Sequence, residues 1–298
     1  MEPATPTNTF TLEPLGPFSL EAAARFWGDF TPAGYSGTGQ PGHVHMAFPV
    51  EGTWTPAGVC LQQAANGTLT AEVFGEAPDA EAIRQQTARI LSLDVDGRDL
   101  LEVGQRDPVA GRLMRDYPGL RPVCFYSPYE AGVWAIMSHR IQMRQAAAIK
   151  ARLAAAYGEL VSVHGEPMRA FPSPRALLDL ADFPGLFDPK PARIAALARA
   201  ALSGGLDAST LRSLPDAAAL AHLQTLPGIG PFSAELILLR GAGHPDYLSL
   251  LEPRFRRAVG RAYALDHDPT DADLQRISDN WRPYRTWITF LLRQSAQD

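Results

Sequence analysis

Three small groupings in this 298-residue chain could do chemistry. The first is Leu226-Pro227-Gly228-Ile229-Gly230, a tight turn whose two glycines can take backbone angles closed to other residues. With no side chains over it, its amide N–H groups, and those at the start of a following helix with Ser233, can face a phosphate oxygen. The same residues could form an ordinary turn between packed helices, because a lone Gly-x-Gly is a weak signal. The second grouping is Glu252-Pro253. Proline disfavours helical geometry in the residue before it and suits the first helical position. The Glu252 carboxylate should therefore stand just ahead of a helix, where the positive end of the dipole favours its ionised form. A plain helix-capping acid is the competing role, with Ser249 three residues earlier imitating a capping box. Such a box would put Pro253 at the fourth helical position, where an N–H is needed. Asp246 is a reserve acid, with a structural role favoured. The third grouping is His43 and His45, which alternate along a predicted strand. They could bind a metal, but no third ligand is visible, and a structural or solvent-facing role is favoured.

The elements around the turn follow from local signals. Pro215-Asp216 can start a helix carrying Leu220 and Leu223 on one side. Pro231 opens a second, whose run Ala234, Leu236, Ile237, Leu238 and Leu239 ends near Gly241 and Gly243. Residues 216–241 are thus predicted as helix, two-glycine turn, helix. Upstream, residues 1–10 read as a loose tail that leads into short strands at Thr9–Leu12, His43–Phe48, Thr53–Leu61 and Thr68–Val73. The Thr31–Gly42 loop and the Asn66-Gly67 turn separate them. Helices are expected at Ser19–Trp27 and Ala80–Leu93. From Leu100 the pattern is helical almost throughout: Asp107–Asp116, a long Pro128–Tyr157, Ser173–Leu180, Lys190–Ser203, Ser209–Leu214, Pro253–Ala264, Asp271–Trp281 and Tyr284–Gln294. The fold class is an α+β N-terminal domain over 1–98, then a mostly α-helical, two-lobed domain over 99–298.

A net charge of −5 is unpromising for a polyanion partner until it is divided. Residues 1–100 hold 12 acidic and 4 basic side chains; the rest hold 20 and 23. Residues 133–152 carry Arg140, Arg144, Lys150 and Arg152 with no acid, and 281–293 carry Arg282, Arg285 and Arg293 with none. A polyanion would meet this C-terminal part, although arginines on solvated helix faces give the same count. Two cysteines, Cys60 and Cys124, form no C-x-x-C pattern, which excludes a four-cysteine zinc or iron–sulfur site and suggests a reducing compartment. Without a signal-peptide pattern or a bilayer-length apolar run, a soluble cytoplasmic protein is expected.

Three segments together carry a resemblance: LPGIGPFSAELILLRG, SPYEAGVWAIMSHRI and WRPYRTWITFLL. In order and spacing they resemble the helix-hairpin-helix DNA glycosylase superfamily, and most of all bacterial 3-methyladenine DNA glycosylase II, the AlkA type. The likeness covers about residues 100–295; the N-terminal region is similar only in size and class. It implies a monomeric, cofactor-independent enzyme that flips alkylated bases out of double-stranded DNA and hydrolyses their bond to the sugar. No membrane and no obligate protein partner are implied. The hairpin residues Leu226 to Gly230 and Ser233 would hold the DNA backbone. The family's catalytic aspartate falls on Glu252, a departure that lengthens the reach by about 1.5 Å. Phe232 stands where bifunctional members carry a lysine and the AlkA type a pocket tryptophan, so water should be the nucleophile and Phe232 a stacking face. Trp134, Phe125 and Tyr126 are further pocket candidates, each of a kind more often found in a core than against a ligand. His139 matches a glutamine, and Arg140 matches the leucine that fills the gap left by the flipped nucleotide. Arg293 replaces a pocket-wall tryptophan. A metal could bind the hairpin carbonyls, as in the family, but no dedicated ligands are visible.

Overall fold

The computed structural model describes residues 5–29, 42–76 and 79–296. It opens with β1 (Asn8–Leu12), α1 (Leu20–Asp29), β2 (His43–Pro49), β3 (Pro56–Gln63), β4 (Leu69–Phe74) and α2 (Ala80–Ile90). The strands form one antiparallel sheet in the order β1-β4-β3-β2. Gly67, at φ +91°, makes the reversal between β3 and β4 that Asn-Gly predicts. Asp79 caps α2 by accepting from the Ala82 N–H. One face of the sheet buries Met46, Phe48, Val59, Leu61 and Val73 against these helices. β2 is buried on its other face as well, for a reason that lies much further along the chain. Residues 31–41 of the expected Thr31–Gly42 loop lie outside the described residues.

The helical part runs α3 (Leu100–Arg106), α4 (Pro108–Asp116), α5 (Pro128–Ser138) and α6 (Met143–Tyr157), then strands β5 (Leu160–Val163) and β6 (Glu166–Arg169). It continues with α7 (Lys190–Leu202), α8 (Ala208–Ser213), α9 (Asp216–Gln224) and α10 (Pro231–Leu236), which passes into a π-helical segment at Ile237–Gly241. α11 (Pro253–Ala262), α12 (Asp271–Ser278) and α13 (Arg285–Ser295) complete it. α5 is apolar nearly all round and is buried from Pro128 to Met137, as such a helix must be. Around it gathers one core with Leu197, Leu223 and Ile237. A second core joins Val103 and Leu113 to Phe255, Trp281, Ile288 and Leu292, so α3 and α4 pack with the C-terminal helices across a long sequence gap.

Several expectations need correction. The predicted long helix Pro128–Tyr157 is two helices. His139 leaves helical geometry at ψ 123° and Arg140 sits at φ +59°, while Lys190 Nζ donates to the Met137 and His139 carbonyls that close α5, at 2.8 and 2.9 Å. Ser173–Leu180 shortens to a 3-10 turn at Pro174–Leu177. The region after Leu100 is not purely helical, because β5 and β6 form a hairpin around His164 (φ +49°) and Gly165 (φ +83°). Each of its strands is only four residues long, too short for period-2 alternation to stand out. This hairpin covers the outer face of the sheet, with Val161 and Val163 packed on Cys60 and Phe74. Gly58 permits the approach: a Cβ there would lie 2.5 Å from Val163 Cγ2.

Candidate active site

Glu252 stands where its proline neighbour predicts, immediately before α11 in extended geometry (φ −99°, ψ 110°). Its side chain makes no capping hydrogen bond, so the imitation box from Ser249 does not form. Instead the Ser249 hydroxyl donates to Glu235, a buried carboxylate on α10, and Tyr247 donates to the same group at 3.0 Å. Glu252 and Glu235 line one open cleft, walled by Phe232, Leu236, Leu239, Thr289, Phe290 and Arg293. Burial raises the Glu235 carboxyl above its ordinary range, and the charge of Glu252 adds to this against the two donated hydrogen bonds. Arg293 Nη1 lies 3.1 Å from Glu252 Oε2, and the Glu252 side chain is 13% exposed. Phe232 is a large aromatic left 55% exposed at this cleft. The Arg240 guanidinium packs on the touching rings of Phe26 and Phe290, 5.5 and 5.1 Å from their centroids, and burial lowers its pKa to about 10.

Sequence reasoning thus reached Glu252, Phe232 and Arg293, which the fold brings together although 61 residues separate the outer two (293 − 232). It did not reach Glu235, and it considered Ser249 only as a cap and not as the donor to Glu235. Glu235 sits within a run of helix-period apolar residues, and that polar exception was the signal available. Trp134 and Phe125 do not line the cleft. Both are buried in the core around α5, where Phe125 packs under Lys150 Nζ at 5.8 Å from the ring centroid. Tyr126 is buried against the sheet.

The turn between α9 and α10 puts Pro227, Gly228 and Gly230 at the surface and Ile229 in the core. Only Gly228 uses the freedom expected of both glycines, at φ +87°; Gly230 has φ −92° and ψ −178°. A Cβ on Gly230 would meet nothing within 4 Å. Ser233 is half-buried on the first turn of α10. His139 and Arg140 are both exposed at the α5–α6 turn. Arg140, held at positive φ without being glycine, is the kind of backbone exception that clusters at functional positions.

The basic stretches divide. Lys150 is spent on Glu130 at 2.6 Å, and Arg282 and Arg285 both hold Asp246, which is thereby structural. Arg140, Arg144 and Arg152 remain exposed. A groove beside the cleft is lined instead by Arg254, Arg257 and Arg261 of α11, together with Arg293. Among the described residues no helix is long and apolar enough to cross a membrane.

No protein-family model matches the chain. Among curated proteins, 245 residues are 29% identical to a probable bifunctional transcriptional activator/DNA repair enzyme AlkA of Mycobacterium tuberculosis, covering 79% of this chain and 47% of that one. Over 185 residues the chain is 31% identical to DNA-3-methyladenine glycosylase 2 of Escherichia coli, covering 59% of this chain and 61% of the relative. It therefore spans about half to three-fifths of the length of these relatives. A solved 3-methyladenine DNA-glycosylase from Archaeoglobus fulgidus shares the fold with a TM-score of 0.80 over 97% of this chain and 98% of that one, at 21% identity. In sequence and fold the chain resembles the helix-hairpin-helix DNA glycosylases of the AlkA type.

Proposed function

We propose that the chain is a monofunctional DNA glycosylase that flips alkylated bases out of duplex DNA and hydrolyses their bond to the sugar. The observation that carries the proposal is the meeting of Glu252, Phe232 and Arg293 in one cleft. An alkylated purine is often cationic, so it stacks well on an aromatic face and leaves without being protonated. Phe232 offers that face. As the C1′–N bond breaks, its electron pair departs with the base and positive charge develops on the sugar, which the Glu252 carboxylate offsets. Water adds at C1′ and gives up a proton, for which Glu252 is the nearest base. Position 232 holds no amine, so no covalent sugar–enzyme intermediate forms and the abasic strand is left intact.

Backbone N–H groups of the 226–230 turn hold the sugar-phosphate chain, and the bare Cα of Gly230 leaves space for a phosphate to approach. Arg140 at the exposed turn fills the gap left by the flipped nucleotide, and Arg254, Arg257 and Arg261 supply phosphate contacts. A second reading is a damage-binding protein without catalysis, favoured by the ion pair that already occupies Glu252. The test is base release from duplexes carrying 3-methyladenine, 7-methylguanine, 1-methyladenine, hypoxanthine, uracil or 8-oxoguanine. The proposal expects methylated purines to be freed and the strand to break only after alkali treatment. Binding of all duplexes without release would favour the second reading, and release of 8-oxoguanine or uracil alone would reassign the substrate class.

A further inference from the structure

The outer face of the sheet holds a donor cluster remote from the cleft. His45 on β2 pairs directly with Cys60 on β3, and Cys60 pairs directly with Glu72 on β4. Residues paired across neighbouring strands project to the same face, so imidazole, thiol and carboxylate form one row. The tip of the β5–β6 hairpin descends on this row with His164 and Glu166. One donor atom each from His45, Cys60 and His164 lies within 4.8 Å of the other two. His45 and Cys60 are buried.

We propose that this seam is a metal site, with His45, Cys60 and His164 as ligands to a borderline-soft divalent ion, zinc in the first place. The donor set supports the choice, since a thiolate with two imidazoles suits zinc and disfavours magnesium or calcium. The orientation of the imidazoles supports it independently. His45 Nδ1 lies 3.0 Å from Glu166 Oε2, and His164 Nε2 lies 2.8 Å from Glu72 Oε2. Histidine ligands commonly turn their far nitrogen to a carboxylate in this way, which leaves Nε2 of His45 and Nδ1 of His164 for the metal. Among the described residues, neither carboxylate pairs with a lysine or arginine. His43 Nδ1 stands 3.3 Å from Cys60 Sγ and is a further donor beside the site; a fourth position is otherwise filled by water.

Donor atoms around tetrahedral zinc sit about 3.3–3.7 Å apart, so closing the site asks for shifts of about 1 Å, within reach of a two-residue hairpin tip. Burial and the charge of Glu72 push the Cys60 thiol up to about 11. The ion would join β2 and β3 to a hairpin more than 100 residues later, clamping the sheet to the helical part.

The test uses the tag-free full chain, stripped with a chelator and titrated with zinc alone. The proposal expects one zinc per chain and a higher melting temperature. With cobalt(II) it expects a thiolate-to-metal charge-transfer band. Cys60→Ser should abolish that band, and His164→Gln should weaken zinc binding by more than the roughly 10-fold that loss of an outer partner alone costs. The His164 side chain is 38% exposed at the hairpin tip, so this variant keeps the fold if Cys60→Ser does not. His267→Gln, at an exposed histidine elsewhere, should change nothing. Absence of zinc uptake by the wild-type chain, or uptake that survives both His164→Gln and Cys60→Ser, overturns the proposal.

Discussion

In the cleft, Glu235 and Glu252 line the same open space as Arg240 and Arg293, and Arg293 pairs with Glu252. In the seam under the His164–Gly165 turn, Glu72 and Glu166 each hold one imidazole, and those imidazoles face a thiol on the sheet. Both regions bring carboxylates and nitrogen bases together from distant parts of the chain, and both lie near a glycine-containing turn. They differ in what the turn does. Gly165, at φ +83°, is needed to close its hairpin, whereas Gly230 adopts angles open to any residue and has nothing where a Cβ would be. At Gly230 the bare Cα leaves room for a partner from outside. A glycine that the turn requires serves the chain itself.

The largest effect that could break this contrast is on stability at the seam. Gly58→Val would drive a side chain into Val163 and Val161, whose atoms lie 2.5 and 2.9 Å from a Cβ at that position. We expect a loss of about 2–3 kcal/mol in urea denaturation, with turnover by the remaining folded protein unchanged. A fall in turnover would mean that the seam and the cleft are one functional unit. Next, Gly230→Ala should leave stability within about 0.5 kcal/mol of the wild type. The same variant should bind duplex DNA about tenfold more weakly, a loss of about 1.4 kcal/mol. Unchanged affinity would remove the turn from the DNA interface. Gly228→Ala is the converse, costing about 1–2 kcal/mol of stability because of its φ of +87°. Smaller again, Arg254→Ala and Arg257→Ala should each reduce the slope of log affinity against log salt by about 1. A slope that stays the same would return these arginines to solvent.

The smallest effect is a pH dependence. The folded pKa of Glu235 is raised, so its contribution to stability is present below the ordinary carboxyl value of 4.5 and is lost as pH rises through the raised value. In Glu235→Gln the amide oxygen accepts from one of the two hydroxyls and the amide N–H donates to the oxygen of the other. This variant should be the more stable protein near neutrality and lose that advantage in acid. Melting curves across pH check this, and parallel curves for the two proteins would contradict it.

How much of this was legible in the sequence depended on distance along the chain. Glu252-Pro253 declared its extended geometry because the cause is the next residue. The Pro231 helix and the Asn66-Gly67 reversal did so for the same reason. The break at His139–Arg140 did not, since it is held by Lys190 some 50 residues later and no glycine or proline marks it. The fate of the cations was equally hidden: Lys150, Arg282 and Arg285 read as surface charge and are consumed by Glu130 and Asp246. His43 and His45 lacked a third ligand in the sequence because His164 and Glu166 arrive on a hairpin too short to be read. Trp134 and Phe125 looked like pocket aromatics but fill a core, since composition cannot separate an aromatic facing a ligand from one facing leucines.

The most direct measurement is single-turnover release of a methylated purine from duplex DNA by the wild-type protein and by Glu252→Gln, with binding to abasic-site DNA measured on the same samples. The amide keeps size and shape and removes the charge. The account predicts a fall in release of at least about 100-fold with binding within about threefold of the wild type. Release at the wild-type rate from Glu252→Gln would contradict it.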